Sequence, residues 1–523
     1  MGISKKHGAV SAGHEKTAWA AEQILASGGN AYDAVLAAFF ASCVCEPVLA
    51  SLGGGGFLTS LTHEGKKKTY DFFVDTPGAK LASPDVDFYP IVADFGGQTT
   101  QEFHVGLASV AVPGSVRGIF HVHRDLGSLP MSTIVAPAIS LAREGVLVNA
   151  FQAYIFQIVK DIYLSSSASM ALFGSIKKPG SLVGEGEVYR LREYADFLEC
   201  LARDGEDFFY DGEISRLVSR DMVNAGGHLS HSDFSRYSCV VRDSLCVDYG
   251  RAEFITNPPP SVGGLLIAFA LRVSQNVDLN QCDHDSFEYL STLSSVMGQT
   301  NQARVDESVA NRFSDSNFVC DFLSDDLVRL YAEKILGCMN RLGSTTQMSV
   351  VDGLGNVASM TVTNGEGSGY VIPGTGIVMN NMLGEEDLHP DGFGAWREGE
   401  RLSSMMAPSV LSFSDGRRFA IGSGGSNRIR TAVLQVLLRL LSGVSVSQAV
   451  SSSRIHFERD LLHVEPGFSS DVIDRLRDFS PEIRLWKQKD LFFGGVHVAG
   501  VDSNKGGFSG AGDLRRGGVF REA

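Results

Sequence analysis

The stretch from Thr345 to Thr363 constrains the chain more than any other. Two β-prone runs, Thr345–Val351 and Val357–Thr363, flank the loop Asp352-Gly353-Leu354-Gly355-Asn356. That pattern predicts a hairpin whose first strand begins at a threonine pair. Further on, Phe419-Ala420-Ile421 runs through Gly422-Ser423-Gly424-Gly425-Ser426-Asn427 into Arg428–Leu441. The latter carries apolar residues at Ile429, Val433, Val436, Leu437, Leu440 and Leu441, a helical stripe. Strands followed by helices predict sheet layers covered by helices.

Before the hairpin the texture is more helical. Glu15–Ser27 reads as an amphipathic helix stopped by Gly28-Gly29, and Asp33–Ala41 as a more buried one. Residues from about 115 to 340, with Ser132–Glu144 and Asp326–Gly337 as the clearest cases, read largely as a helical layer without an internal repeat. Gly53-Gly54-Gly55-Gly56 lacks the Lys-Ser/Thr that follows a phosphate-binding loop, so it reads as a place where backbones approach closely. Gly365–Gly376 is again glycine-rich and leads to a strand at Ile377-Val378-Met379.

With 523 residues the chain can bury a large core, and length alone suggests two to four domains. A net charge of −15 with no basic face disfavours nucleic acid and anionic membranes as partners and leaves a small-molecule substrate. Eight cysteines (Cys43, Cys45, Cys200, Cys239, Cys246, Cys282, Cys320, Cys338) show no CxxC spacing and read as buried free thiols. The amino terminus has no apolar segment after its lysines, and no run of 18 apolar residues occurs, which predicts a cytoplasmic chain that spans no membrane.

GxSxG, HExxH and Walker A patterns are absent from the sequence. His121-Val122-His123 and His228-Leu229-Ser230-His231 lack a third ligand at a diagnostic spacing and read as satisfied or solvent-facing histidines. The loop Gly424-Gly425-Ser426 is either an ordinary tight turn or a set of backbone N–H groups aimed at an anion or a developing oxyanion. Ser344, Thr345, Thr346 and Ser349 have the composition of sheet threonines and turn serines, and residue physics alone singles out no nucleophile among them.

Blocks spread over nearly the whole chain resemble the γ-glutamyltransferases, also called γ-glutamyl transpeptidases or glutathione hydrolases. They are Ser27–Ala34, Glu46–Phe57, Val110–Gly118, Ala136–Ile139, Leu141–Gly145 and Pro258–Ser261 with Gly263-Gly264. Later come the threonine pair with Ser349–Asp352, Pro373–Ile377, Asn380-Asn381, Leu402–Met405 and Gly510–Asp513. The resemblance implies an α+β, amino-terminal-nucleophile hydrolase fold, a four-layer αββα sandwich.

It also implies self-cleavage between Ser344 and Thr345, giving residues 1–344 and 345–523 as two subunits of one compact fold. Thr345 would then be the nucleophile and its freed α-amine the general base. By position, Thr363 supports the nucleophile, and Gly424, Gly425 and Ser426 hold the oxyanion. Asn364, Glu385, Ser403 and Ser404 contact the glutamyl head group. The implied reaction passes the acyl group of a γ-glutamyl amide such as glutathione to water or an amino acceptor, with no cofactor or metal.

The sequence departs from the family pattern at three places. Phe73 stands where the family has an arginine for the substrate α-carboxylate, with Lys80 nearby as a substitute. The spacing after Thr363 is irregular, and the lid-like stretch between Asn381 and Leu402 is short. Phe73 brings in an acylase of glutaryl or cephalosporin type as an alternative on the same fold. An uncleaved, inactive binding protein is the alternative from another class.

Overall fold

Thr346–Asp352 and Val357–Thr363 form the predicted hairpin, running antiparallel from Thr346 opposite Val362 to Val351 opposite Val357. This computed structural model describes residues 6–81, 86–94, 100–277, 279, 282–309, 312–313, 315–334, 345–389, 392–458, 460–480, 482–502 and 507–523. Around the hairpin lies a seven-stranded sheet. Its order is Val519–Glu522, Gly8–Ala12, Thr346–Asp352, Val357–Thr363, Gly55–Leu61, Lys67–Phe72 and Val240–Asp243, antiparallel throughout.

A second, six-stranded antiparallel sheet packs face to face on the first, in the order Gly507–Ala511, Gly495–Asp502, Arg417–Gly424, Ser409–Phe413, Ala252–Thr256, Leu245–Tyr249. The two-residue period of a strand divides the hairpin between two environments. Met348, Val350, Met360 and Val362 face a helical core, where each fully buried large side chain is worth about 1.5–3 kcal/mol. On the opposite face Ser349 Oγ donates to His497 O, Ser359 Oγ donates to Ile421 O, and Gln347 links Ser349, Ser359 and Thr361. Hydroxyls and carbonyls therefore tie the sheets across an interface that includes Val351, Val357, Val410 and Ala420.

Helices Glu15–Ala26 and Ala31–Cys45 cover the outer face of the first sheet. Asn30 and Asp33 form a capping box that starts the second of these, and the whole of that helix is buried. Val262–Asn276 and Arg428–Leu441 cover the second sheet. The outcome is the expected α+β, four-layer αββα arrangement.

The expectation of helix over about 115–340 holds in part. Met131–Glu144 and Asp325–Glu333 are helices, but the same stretch also gives three strands, Val240–Asp243, Leu245–Tyr249 and Ala252–Thr256, to the two sheets. Cys43, Cys45 and Cys239 are buried thiols as expected. Cys246, on an edge strand, and Cys320, on the short helix Phe318–Phe322, are exposed instead, and Cys338 lies outside the described residues. Residues before and after position 345 both supply strands to each sheet, so the two expected fragments are interleaved. Ser344 lies outside the described residues.

Candidate active site

Thr345 stands just before the first strand of the hairpin and is 4% exposed. Its carbonyl accepts a hydrogen bond from Arg516 Nη1 at 3.1 Å. Gly424, at the end of a strand of the second sheet, lies so close that a Cβ there would stand 1.9 Å from the same oxygen. Only glycine permits that approach. The next hydroxyl, Thr346 Oγ1, donates to Glu46 Oε2 at 2.9 Å, and Thr17 Oγ1 donates to the other oxygen at 2.7 Å. Burial pushes the Glu46 carboxyl up, against these two bonds.

The Gly510–Asp513 block explains how Arg516 is held. Asp513 caps the turn Leu514–Arg516, accepting from Arg515 N at 3.0 Å, and takes ion pairs from Arg454 at 2.6 Å and Arg515 at 3.1 Å. Burial opposes its charge, but the two guanidinium groups outweigh burial and hold its carboxyl at about 2. Arg516, itself buried, is brought down to about 10 by desolvation. Nothing in the sequence pattern singled out Arg516, because what it binds at Thr345 is a backbone oxygen distant in the chain.

Thr363 ends the neighbouring strand, opposite Gly55, and its Oγ1 accepts from Gly365 N at 3.1 Å. A Cβ on Gly54 would stand 2.3 Å from Thr363 O, so the polyglycine run is a close backbone approach, as its sequence suggested. Beyond Gly424, Gly425 has φ +121° and Ser426 φ +45°. The left-handed conformation costs an L-residue such as Ser426 roughly 1–2 kcal/mol. There its Oγ donates to Asp387 Oδ2, while Arg428 N and Ile429 N start the helix by donating to Gly425 O and Ser426 O.

A small cavity of about 40 Å³ joins these elements, room for about three water molecules. Of the expected site residues, Thr345, Thr363, Glu385, Ser404 and Ser426 line it, together with Phe73. Gly365, Asp387 and the apolar side chains of Met382, Leu388, Met405, Met406 and Ile429 complete the wall. No lysine, arginine or histidine lines it among the described residues.

Glu385 is 6% exposed, and its Oε1 has no hydrogen-bond partner. Burial, then the charge of Glu366, push its carboxyl well above the usual range. Asp387 is also pushed up by burial, against the Ser426 hydrogen bond and the charge of Arg428. Sequence reasoning did not find Asp387, although its place two residues after Glu385 was a signal.

Four expected residues stand outside the cavity wall. Asn364 does not line the cavity; its carboxamide is buried beside Gly367, with neither polar atom hydrogen-bonded. The irregular spacing after Thr363 puts Gly365 at the wall in its place. Ser403 is half-buried and not part of the wall, whereas Ser404 is. Gly424 and Gly425 stand behind the wall, packed against Thr345 O and Arg516.

Phe73 packs in a stack with Phe57, ring centroids 5.7 Å apart. Lys80 is exposed, donates to Gly394 O at 2.7 Å and lies over Trp396, so it brings no charge to the cavity. Arg401, next to Leu402, is committed to Asp71 and Asp75, each at 2.5 Å. Asn380 and Asn381 bond backbone groups: Asn380 with Ala111 and Gly53, Asn381 with Glu366 N and Gly367 N.

The chain is similar to known proteins over most of its length. The family profile described as Gamma-glutamyltranspeptidase matches residues 17–522. The Acylase ACY 1 proenzyme of Pseudomonas sp. (strain V22) is 29% identical, over 90% of this chain and 86% of the relative. The glutathione hydrolase proenzyme of Pseudomonas aeruginosa is 30% identical, over 86% of this chain and 83% of the relative. The fold is similar to the crystal structure of cephalosporin acylase from Bacillus halodurans, with a TM-score of 0.84, 24% identity, and coverage of 99% and 96% of the two chains.

Proposed function

The chain belongs to the gamma-glutamyltranspeptidase family, and we propose that it cuts itself before Thr345 and then uses that threonine to cleave an amide through an acyl-enzyme. The observation that carries this reading is the meeting of Thr345, Thr363, Glu385, Ser404 and Ser426 around one cavity. In the first step the Thr345 hydroxyl attacks the Ser344 carbonyl carbon. The peptide nitrogen leaves as the α-amine of Thr345, and water hydrolyses the resulting ester. The freed α-amine titrates near roughly 7.7–8.0, which suits a general base for the hydroxyl of the same residue.

In the second step that hydroxyl attacks the donor amide, and N–H groups of the Gly424–Ser426 turn stabilise the oxyanion. Collapse releases the amine and leaves a threonyl ester, which passes to water or to an amino acceptor. Thr363 supports the nucleophile, and Glu385 takes the amine of the acyl group, with Ser404 beside it. Glutathione-like γ-glutamyl amides are the first donors to consider, and relatives named glutathione hydrolase support this. Phe73 favours an acylase whose acyl group lacks that carboxylate, because it places an aromatic ring where a carboxylate would need a cation.

Electrophoresis of the purified protein tests the scheme. Two bands, residues 1–344 and 345–523, are expected for the wild type and one for Thr345→Ala. A wild-type chain that stays whole under all conditions overturns self-cleavage and favours the silent binding protein.

A further inference from the structure

Glu385 is not alone on the acidic side of the cavity, where Asp387 shares the wall and Glu366 backs it. Glu385 lines the wall, and Glu366 stands behind it, wholly buried, with its charge acting on Glu385. The chain brings them together through glycine and asparagine. Gly365 takes φ +59°, and a Cβ there would stand 2.7 Å from Glu385 Oε1. Asn381 Oδ1 accepts from Glu366 N at 2.9 Å and fixes the turn.

Two buried carboxylates whose charges act on each other cannot both ionise freely, so the pair holds at most one negative charge. The orphaned Glu385 Oε1 gives that charge an unmet demand for a donor. The rest of the wall is apolar, hydroxylic or acidic, with Asp387 as a further carboxyl and no cation among the described residues. Arg428, which acts on Asp387, directs its Nε to Phe492 O at 3.1 Å.

We propose that Glu366 and Glu385 act as one anionic unit that selects an acyl donor bearing a single ammonium group and no carboxylate. One negative charge matches one ammonium. An acyl group that adds a carboxylate, γ-glutamyl or glutaryl, brings an anion to a wall that offers it no counter-charge. Glu366 is thereby a specificity-determining partner of Glu385. This deepens the reading of Thr345 as the acyl-transfer nucleophile and rests on it for turnover, but not for binding.

The test is therefore a binding measurement paired with turnover. Calorimetry on the purified full chain would compare 4-aminobutanamide, butanamide and the glutaric monoamide. The expected order is 4-aminobutanamide first, by about tenfold or more over butanamide, as for one charge-assisted hydrogen bond, with the glutaric monoamide weakest. Glu385→Gln and Glu366→Gln each leave one ionisable carboxyl, so each single variant keeps most of the preference. The double variant brings 4-aminobutanamide and butanamide within about twofold.

Far-ultraviolet circular dichroism and thermal melting establish that the variants are folded. If Glu385→Gln alone removes the preference as fully as the double variant, Glu366 has no part and the inference falls. A tighter glutaric monoamide overturns it as well. Release of p-nitroaniline from the matching anilides separates the two claims. Ordered binding without release sinks Thr345 as nucleophile and leaves the acid pair standing, whereas release without the binding order does the reverse.

Discussion

The two ends of the hairpin differ sharply, although one pair of strands builds both. At the turn, the Asp352 carboxylate accepts from Ala31 N, Leu354 N, Asn356 N and Asn356 Nδ2, all within 3.1 Å. At the Thr345 end, polar atoms of Asn364, Glu385, Asn427 and Arg516 are buried without partners, and Ser426 holds a left-handed backbone. Folding stability favours the first arrangement. The second persists because the sheets and the Asp513 cluster hold it, and an end that leaves donors and acceptors open is an end that can bind a substrate.

Glycine substitutions sharpen this contrast most. Gly424→Ala drives a methyl into the Thr345 carbonyl, so amide release should fall about 10²–10³-fold, the size of a lost oxyanion donor. Gly353→Ala, at the quiet end, meets nothing closer than His7 O at 3.3 Å and should change stability by less than about 0.5 kcal/mol and turnover not at all. Steady-state kinetics beside urea unfolding of both variants checks the pair. Equal losses would dissolve the distinction between the two ends.

Removing the turn's carboxylate should do the opposite. Asp352→Ala leaves three backbone N–H groups and the Asn356 amide short of an acceptor, at a cost of about 2–3 kcal/mol in unfolding free energy. Its kcat should stay within about twofold of wild type, since the change lies at the far end of the strand from Thr345. A collapse in kcat at full folding would show that the two ends are coupled. Arg516→Lys should act the other way, lowering kcat by about tenfold while leaving KM near its wild-type value, because a single ammonium replaces a planar fork beside Thr345 O.

The contrast also separates what the sequence reveals from what it hides. The turn end was legible because hairpin chemistry is local, as were the helices at Glu15–Ala26 and Arg428–Leu441, whose periodicity lies within one segment. Strands Val240–Asp243 and Leu245–Tyr249 were hidden by their short runs of half-exposed and charged residues. At the site, Thr345, Thr363, Glu385 and Ser404 could be named only through family resemblance, since nothing in their own composition marks them. Asn364 stands outside the cavity wall, where Gly365 takes its place. Arg516 and the pairing of Glu366 with Glu385 arise from tertiary contacts, which no local pattern encodes.

The smallest expected effect tests the electrostatics of the open end. In the unfolded chain Glu385 titrates near about 4.3, and in the folded chain its carboxyl is pushed well above this by burial and then by Glu366, with Asp387 adding in the same direction. A raised carboxyl favours the protonated folded state. Its stabilisation is therefore complete below the unfolded value and is lost as pH rises toward the folded one. Glu385→Gln cannot titrate, so melting temperatures followed from pH 4 to 8 should decline less steeply in the variant than in the wild type. Buried His14 and His463, both pushed down by desolvation, act oppositely but equally in the two proteins, so the difference isolates the acid pair. Parallel curves would mean that Glu385 ionises freely when folded, and the open end would then be no more costly in charge than the turn.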